Sequence, residues 1–236
     1  MDFPARINQY ITSKKNISRR QADKFIIEKR VKINEKIAVL GEKINEDDEV
    51  KIDGDSLKDV QKKFVYLAFN KPVGIVSNIA HRGQKGINDI LDYPVQIFPV
   101  GRLDKNSHGL IILTNDSHIT EKLLHPKHKH EKEYVVKTSK VVTQEFLEKM
   151  SQGVVIDGYK TKKCKVKKIN PKQFRIILTE GKKRQIRKMC SVLGHKVLDL
   201  ERVRIMDIKL ANLKPGEYRE LRNTELEKFL KNLKIA

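Results

Sequence analysis

Apolar and polar positions keep two different rhythms along the chain. Between residues 5 and 36 apolar side chains recur at helical spacing, with Ile7, Tyr10 and Ile11 on one face and Ala22, Phe25 and Ile26 on a second. Ser18 followed by Gln21 has the spacing of a capping box that opens the second helix, each side chain satisfying a free backbone N–H. The period then shortens. VKIN, a turn at Glu35-Lys36, IAVLG and EVKID read as short strands of a small sheet, and the polar stretch Asp53–Lys63 reads as a linker.

From Phe64 longer strand-like runs take over: FVYLAFN, GLIILT, EKEYVVKT, CKVKKI, QFRIILTE and KVLDLERVRI. GLIILT is almost continuously apolar, which predicts a strand buried on both faces. Lys71-Pro72-Val73-Gly74 predicts a turn, because Pro presets φ and Gly allows a left-handed bend. Helices are expected over 117–124, 143–151 and 183–193, before Pro126, Gly153 and Gly194. A Thr224/Glu227 capping box predicts a last helix through Leu226, Phe229, Leu230 and Leu233. Strands and helices mix without strict βαβ alternation, so the expected class is α+β, with a mixed, largely antiparallel sheet and flanking helices. The expected domains are residues 1–60 and 64–236.

Charge narrows the partner. The 236 residues carry 50 Lys+Arg against 30 Asp+Glu, a formal net charge of +20, which calls for a polyanion. Residues 158–190 hold thirteen Lys/Arg and one acid, Glu180, interleaved with strand-like apolar runs, so they form a folded basic face rather than a tail. Residues 6–36 hold ten basic and three acidic residues, Arg19 and Arg20 among them, which makes the helical pair a second basic surface. Nucleic acid fits this pattern better than a membrane surface, since the stretch 158–190 sustains no basic amphipathic helix before residue 183. No run approaches a membrane span and the N-terminus lacks a signal-peptide core, so a cytoplasmic monomer is expected. Cys164 and Cys190 are too few for a disulfide framework.

The chain has no P-loop, dinucleotide fingerprint, nucleophile elbow or HExxH motif, which disfavours ATP, nicotinamide and zinc-protease chemistry. His125, His128 and His130 sit among Lys127, Lys129 and Lys132, a setting that repels a metal cation and suits a phosphate-facing loop. No metal or cofactor is expected. Gly101-Arg102-Leu103-Asp104-Lys105-Asn106-Ser107-His108-Gly109 places Arg, Asp and Ser in a loop entering the buried strand, where a scaffold can aim them into a cleft. An ordinary surface loop, with Asp104 turning its own backbone, fits the same spacing. Gly181-Lys182-Lys183-Arg184-Gln185-Ile186-Arg187 sits at a strand-to-helix junction suited to phosphate, and Arg187 lies beside the apolar face of Ile186, Met189, Cys190 and Leu193. Only 13 of the 50 cations are Arg, yet Arg102, Arg184, Arg187, Arg202 and Arg204 all fall in these segments, where a planar two-point donor matters.

These residues resemble a known family. GRLDKNSHGLIILTND is similar to the signature of the rRNA pseudouridine synthases of the small-subunit/large-subunit type, and the resemblance continues through NKPVGIVS, HEKEYVV, GKKRQIRKMC and LERVRI. The first domain resembles the S4 RNA-binding module. KKCKVKK with LERVRIMDI is closest to the large-subunit branch called pseudouridine synthase F. The resemblance implies an S4-like module ahead of a pseudouridine synthase domain, with Asp104 as the essential aspartate and Arg187 as the arginine that pairs with it. It further implies that Tyr134 stacks on the target base, Arg102 helps displace the nucleotide, and Leu200 is a nonpolar pocket wall. Ser107 stands where many relatives have Thr, and a hydroxyl is kept. Arg184, Gln185, Arg202, Lys163, Lys165, Arg19 and Arg20 complete the expected RNA contacts.

The implied reaction breaks and remakes one glycosidic bond and needs no cofactor. It needs an ionised carboxylate in a dry pocket, where a fixed guanidinium opposes the effect of burial, and a base flipped onto an aromatic ring. The expected substrate is a uridine in a 23S rRNA hairpin, with tRNA as an alternative. A non-catalytic RNA-binding or ribosome-assembly protein is the other reading, and Asp104, Arg187 and Tyr134 together separate the two.

Overall fold

The computed structural model of the chain describes residues 3–15, 17–57, 63–77 and 83–235. Residues 58–62 of the expected linker, and so the end of the expected first domain, lie outside the described residues. The chain divides into two compact units, residues 1–64 with 115–117, and residues 65–114 with 118–236.

The first unit runs β1 (Ala5–Arg6), α1 (Ile7–Lys15), α2 (Arg19–Ile27), β2 (Val31–Ile33), β3 (Lys36–Ile37), β4 (Lys43–Ile44), β5 (Val50–Ile52) and β6 (Asp55–Ser56). Ile7, Ile11, Ala22 and Ile26, the predicted helix faces, close over Val31, Ile44, Val50 and Leu57. The Ser18 hydroxyl caps α2 by accepting the Gln21 N–H at 3.2 Å, so the serine half of the capping box forms. The hairpin turn falls one residue earlier than expected, at Asn34-Glu35, both at positive φ, because Asn tolerates the left-handed region. IAVLG leaves the sheet after Ile37: the Val39 N–H turns to the Glu42 carboxylate at 2.8 Å, and Val39 and Leu40 are exposed.

The second unit continues with β7 (Tyr66–Lys71), β8 (Phe98–Val100), β9 (His108–Thr114), α3 (His118–Leu124), β10 (Lys132–Thr138), α4 (Gln144–Ser151), β11 (Val155–Ile156), β12 (Tyr159–Lys160), β13 (Lys165–Asn170), β14 (Gln173–Leu178), α5 (Gln185–Val192), β15 (Val197–Ile205), β16 (Ile208–Lys209), β17 (Tyr218–Glu220) and α6 (Asn223–Asn232). Nine strands form one sheet, with the path β13-β14-β10-β15-β9-β7-β17 and with β8 and β16 on the sides of β9 and β15. Every pairing is antiparallel except β9 with β15. The class is thus α+β with a mixed, mostly antiparallel sheet, as expected. On β9, Leu110 and Ile112 enter one core while Ile111 and Leu113 enter another, which is why its sequence is apolar at successive positions.

Helices α4 and α5 cover one face of β10, β14 and β15, packing Phe146, Met150, Ile186 and Met189 on Val136, Phe174, Ile176 and Leu200. The start of α5 differs from expectation: Arg184 adopts the left-handed region at φ 54°, so the helix begins at Gln185 rather than 183. The Thr224/Glu227 box does not form. Buried Leu221 bonds the Tyr66 carbonyl, the helix starts at Asn223, and Thr224 lies inside its first turn.

Candidate active site

The loop between β8 and β9 is held from three directions. The Ser77 hydroxyl accepts the Leu103 N–H and donates to the Leu103 carbonyl, both at 2.9 Å, and the Gly74 N–H donates to the Lys105 carbonyl at 2.8 Å. The Arg187 guanidinium, from α5, donates to the Asn106 carbonyl at 2.6 Å and to the Ser107 hydroxyl at 3.2 Å. Inside the loop the Ser107 N–H bonds the Asp104 carbonyl at 2.9 Å. Asp104 is therefore half-buried on a backbone fixed on both sides, with Leu103 and Ser107 buried beside it. The expected pairing with Arg187 takes an indirect form: the guanidinium bonds the loop's backbone and Ser107, and its charge acts on Asp104 through space. Burial lowers the Arg187 pKa, and Arg184 lowers it further, with Asp104 opposing both.

Sheet register brings the remaining parts together. Tyr134 on β10 is opposite Arg202 on β15, Arg202 is opposite Gly109 on β9, and Gly109 is opposite Lys71 on β7, a single row across four strands. Gly109 is required there, since at φ 101° a Cβ would lie 2.4 Å from the Arg202 carbonyl oxygen. A bulge in β15 between Arg202 and Arg204 turns these two arginines to opposite faces: Arg204 pairs with Glu133, and Arg202 with Tyr134. Arg202 is buried, donating from Nε to the Leu110 carbonyl at 2.6 Å, while its Nη2 has no partner.

Lys71 was read from sequence only as the start of a turn. It is fully buried, its ammonium donating to the carbonyls of Pro72 and Ile75 at 2.8 Å each. Burial drives its pKa down to about 8, Arg202 pushes it the same way, and Asp104 pulls it back. The signal was the motif NKPVGIVS, where a lysine precedes a Pro-Gly turn at the end of an apolar strand. A half-buried carboxylate thus sits in the field of Lys71 and Arg187. Such a site stabilises negative charge on the carboxylate and on any anion that departs nearby.

Residues 65–192 match the family described as RNA pseudouridylate synthase, and residues 5–60 match the S4 domain. The chain belongs to the RNA pseudouridine synthases. Over 226 residues it is 44% identical to the dual-specificity RNA pseudouridine synthase RluF of Escherichia coli (strain K12), across 95% of this chain and 78% of that protein. It is 35% identical over 221 residues to the ribosomal large subunit pseudouridine synthase B of Bacillus subtilis (strain 168), across 90% of each. A crystal structure of a pseudouridylate synthase superposes with a TM-score of 0.69 at 29% identity, covering 97% of this chain and 99% of that one. The match to RluF agrees with the F branch that KKCKVKK and LERVRIMDI suggest.

Within this pseudouridine synthase the other expected contacts fall into three groups. Tyr134 is half-buried beside the α4–α5 core, and Leu200 is buried in it. Gln185 is buried with its amide committed, accepting the Lys182 N–H and donating to Glu180, both at 3.0 Å, so it shapes the loop ahead of α5. Arg102, Arg184, Lys163 and Lys165 are exposed, as are Arg19 and Arg20 in the first turn of α2. Lys165 lies 3.8 Å from Glu131. His125, His128 and His130 form a ring cluster, with His128 and His130 stacked at 5.6 Å. No helix among the described residues is long and apolar enough to cross a membrane.

Proposed function

We propose that the enzyme converts a uridine in a hairpin of 23S rRNA to pseudouridine, with Asp104 acting on the ribose. In the first half of the reaction Asp104 attacks C1′ or removes the C2′ proton, and the N1–C1′ electron pair leaves with the uracil. The anionic ring turns and C5 bonds to C1′, either displacing the Asp104 carboxylate from C1′ or with Asp104 returning the proton to C2′; the C5 proton is then lost and N1 gains one, so atoms and charge balance without a cofactor. Asp104 is the carboxylate whose charge acts on both Lys71 and Arg187, and that is the observation that carries the reading. Lys71 and Arg187 offset the negative charge of the departing uracil. In this reading Tyr134 stacks on the flipped base and takes the C5 proton, and Arg102, exposed on the loop, helps displace the target nucleotide. Ser107, buried against Arg187, supports the loop rather than touching RNA; Arg184 lines the approach, and Lys163 and Lys165 track the RNA backbone.

Residues 1–60 dock the RNA through Arg19 and Arg20, and the chemistry lies in 64–236. The word "ribosomal" in the name of the Bacillus relative supports the rRNA reading, and "dual-specificity" in that of RluF keeps tRNA as a second substrate class. Pseudouridine mapping of total RNA from cells with and without the gene tests this. Loss of one or a few rRNA pseudouridines is expected. Loss confined to tRNA replaces the substrate, and no loss returns the protein to an RNA-binding role.

A further inference from the structure

Two cations beside Tyr134, Arg202 buried and Lys132 half-buried, have no carboxylate paired with them among the described residues. Lys132 shares a face of β10 with Tyr134, two residues away, and Arg202 lies opposite Tyr134 on β15. Lys132 Nζ donates only to the His130 carbonyl at 3.3 Å, and among the described residues neither cation is in an ion pair. Burial lowers the Lys132 pKa to about 8, with Arg202 adding to the effect, so the fold holds this charge at a cost. Three polar atoms around the cluster are buried with no partner: Arg202 Nη2, His130 Nε2 and His128 Nε2. The His130 ring is fixed from its other side by a hydrogen bond to the Lys122 backbone and by stacking on His128.

Open donors, uncompensated charge and a fixed ring are what an anion with several acceptor oxygens would complete. We infer that His130, Lys132 and Arg202 form a site for one backbone phosphate of the RNA, flanking the nucleotide that is flipped toward Tyr134. The inference rests on the proposed function and deepens it. Asp104 handles the sugar, Tyr134 the base, and this site the phosphodiester that fixes the flipped nucleotide's position. His130 is a positioning residue in this scheme.

Its protonation should follow the phosphate. Burial, Lys132 and His128 hold the His130 pKa below its ordinary value. His128 is lowered likewise by burial, Lys127, His125 and Lys122, with Glu121 opposing. In the free protein the lowered pKa leaves His130 neutral near pH 7, and its Nε2 is the buried ring nitrogen without a partner. A phosphate favours the protonated ring, so binding takes up a proton. Affinity is greatest below the free-state pKa and falls as pH rises through the bound-state value.

The test uses the hairpin that carries the mapped uridine, with single neutral methylphosphonates placed at each phosphate around it. Kd is measured for the wild type, Lys132→Met and His130→Gln, with thermal unfolding as the check on folding. One linkage should cost the wild type about tenfold in affinity and cost either variant little more, as expected when both changes remove the same charge-assisted bond. The wild-type affinity should also drop between about pH 5.5 and 7.5, a slope that His130→Gln removes. Fully additive losses at every linkage, or a slope that survives His130→Gln, would overturn the site. Lys132→Met removes a half-buried charge and should fold, and His130→Gln completes the cycle by itself if it does not. Conversion of the unmodified hairpin is read in parallel. A hairpin that binds with coupled losses but is not converted counts against the proposed function alone, and a converted hairpin with additive losses counts against the phosphate site alone.

Discussion

On one face of β10, β14 and β15, Arg175 and Arg204 hold the nearly buried Glu133 at 2.8 and 2.6 Å, and Arg204 also reaches Glu131 at 2.9 Å. In the row that Tyr134 begins, Arg202 and Lys71 are buried without any ion pair among the described residues. The two sets lie within a few residues of each other on the same strands. The first set is neutralised by the protein itself, so its electrostatic work is finished on folding. The second leaves desolvated charge and open donors, which destabilises the folded state and is useful only when negative charge arrives or develops. Cations with their own carboxylate, half-buried Arg204 and exposed Arg175, maintain the sheet, and buried cations without one mark the place of reaction.

Asp104→Asn should show the contrast most sharply, because Asp104 is the carboxylate that this second set acts on. Pseudouridine formation on the hairpin should fall to background while folding and RNA affinity persist. Turnover by a folded variant, checked for deamidation back to Asp, would remove Asp104 from the chemistry. Arg187→Lys keeps the charge but loses the bonds to the Asn106 carbonyl and Ser107. Single-turnover rates should drop by about a hundredfold, the scale of a small misplacement of the reacting group, with Kd nearly unchanged. A rate loss matched by a loss of affinity would mean that Arg187 binds RNA rather than positioning the loop.

Glu133→Gln probes the neutralised set, and its effect should be on stability rather than rate. It leaves Arg204 with Glu131 and Arg175 facing solvent, and should cost on the order of 1 kcal/mol, read by denaturant unfolding at pH 7. Burial by itself would raise the Glu133 pKa, but hydrogen bonds and charge from Arg204 and Arg175 outweigh it, leaving the value below ordinary. The contribution is therefore complete above the unfolded-state pKa and is lost as pH falls through the lower folded value, so the wild type should lose more stability in acid than the variant.

Lys71→Met should do the reverse. A buried lysine with its pKa at about 8 penalises folding below that pH, and the penalty disappears as pH rises toward the unfolded value of 10.5. The variant should melt about 2–4 °C higher at pH 7, with a lower rate of isomerisation. A lower melting temperature would place Lys71 with the structural cations. The smallest effect belongs to the exposed edge. Removing the charge of Lys163 or Lys165 should shallow the log–log salt dependence of RNA binding by about 0.7 each if they contact single-stranded phosphates.

Much of this was written locally. The helix faces of the first unit, the two-sided burial of β9 and the α+β mixture follow from apolar period alone, because each element must bury the positions its own geometry gathers. The loop around Asp104 was visible as two glycines bracketing charged residues before a buried strand. Errors clustered at element ends, at Glu35-Lys36, Val39 and Thr224; near the last, a hydrogen bond from Leu221 to the distant Tyr66 carbonyl sets where the chain enters the helix. The sequence by itself also determined the charge that selects RNA, since charge needs no partner to be counted.

Only the tertiary structure separated the cations by use. Alternation along Arg202-Val203-Arg204 predicts a shared face, and the bulge in β15 sends one arginine to Glu133 and the other to Tyr134. Lys71 looked like the first residue of a turn until the register set it opposite Gly109, one strand from Arg202. Whether a charge is paired or left open depends on which strands become neighbours. That is fixed by long-range pairing and packing, so no window of sequence around either residue contains it.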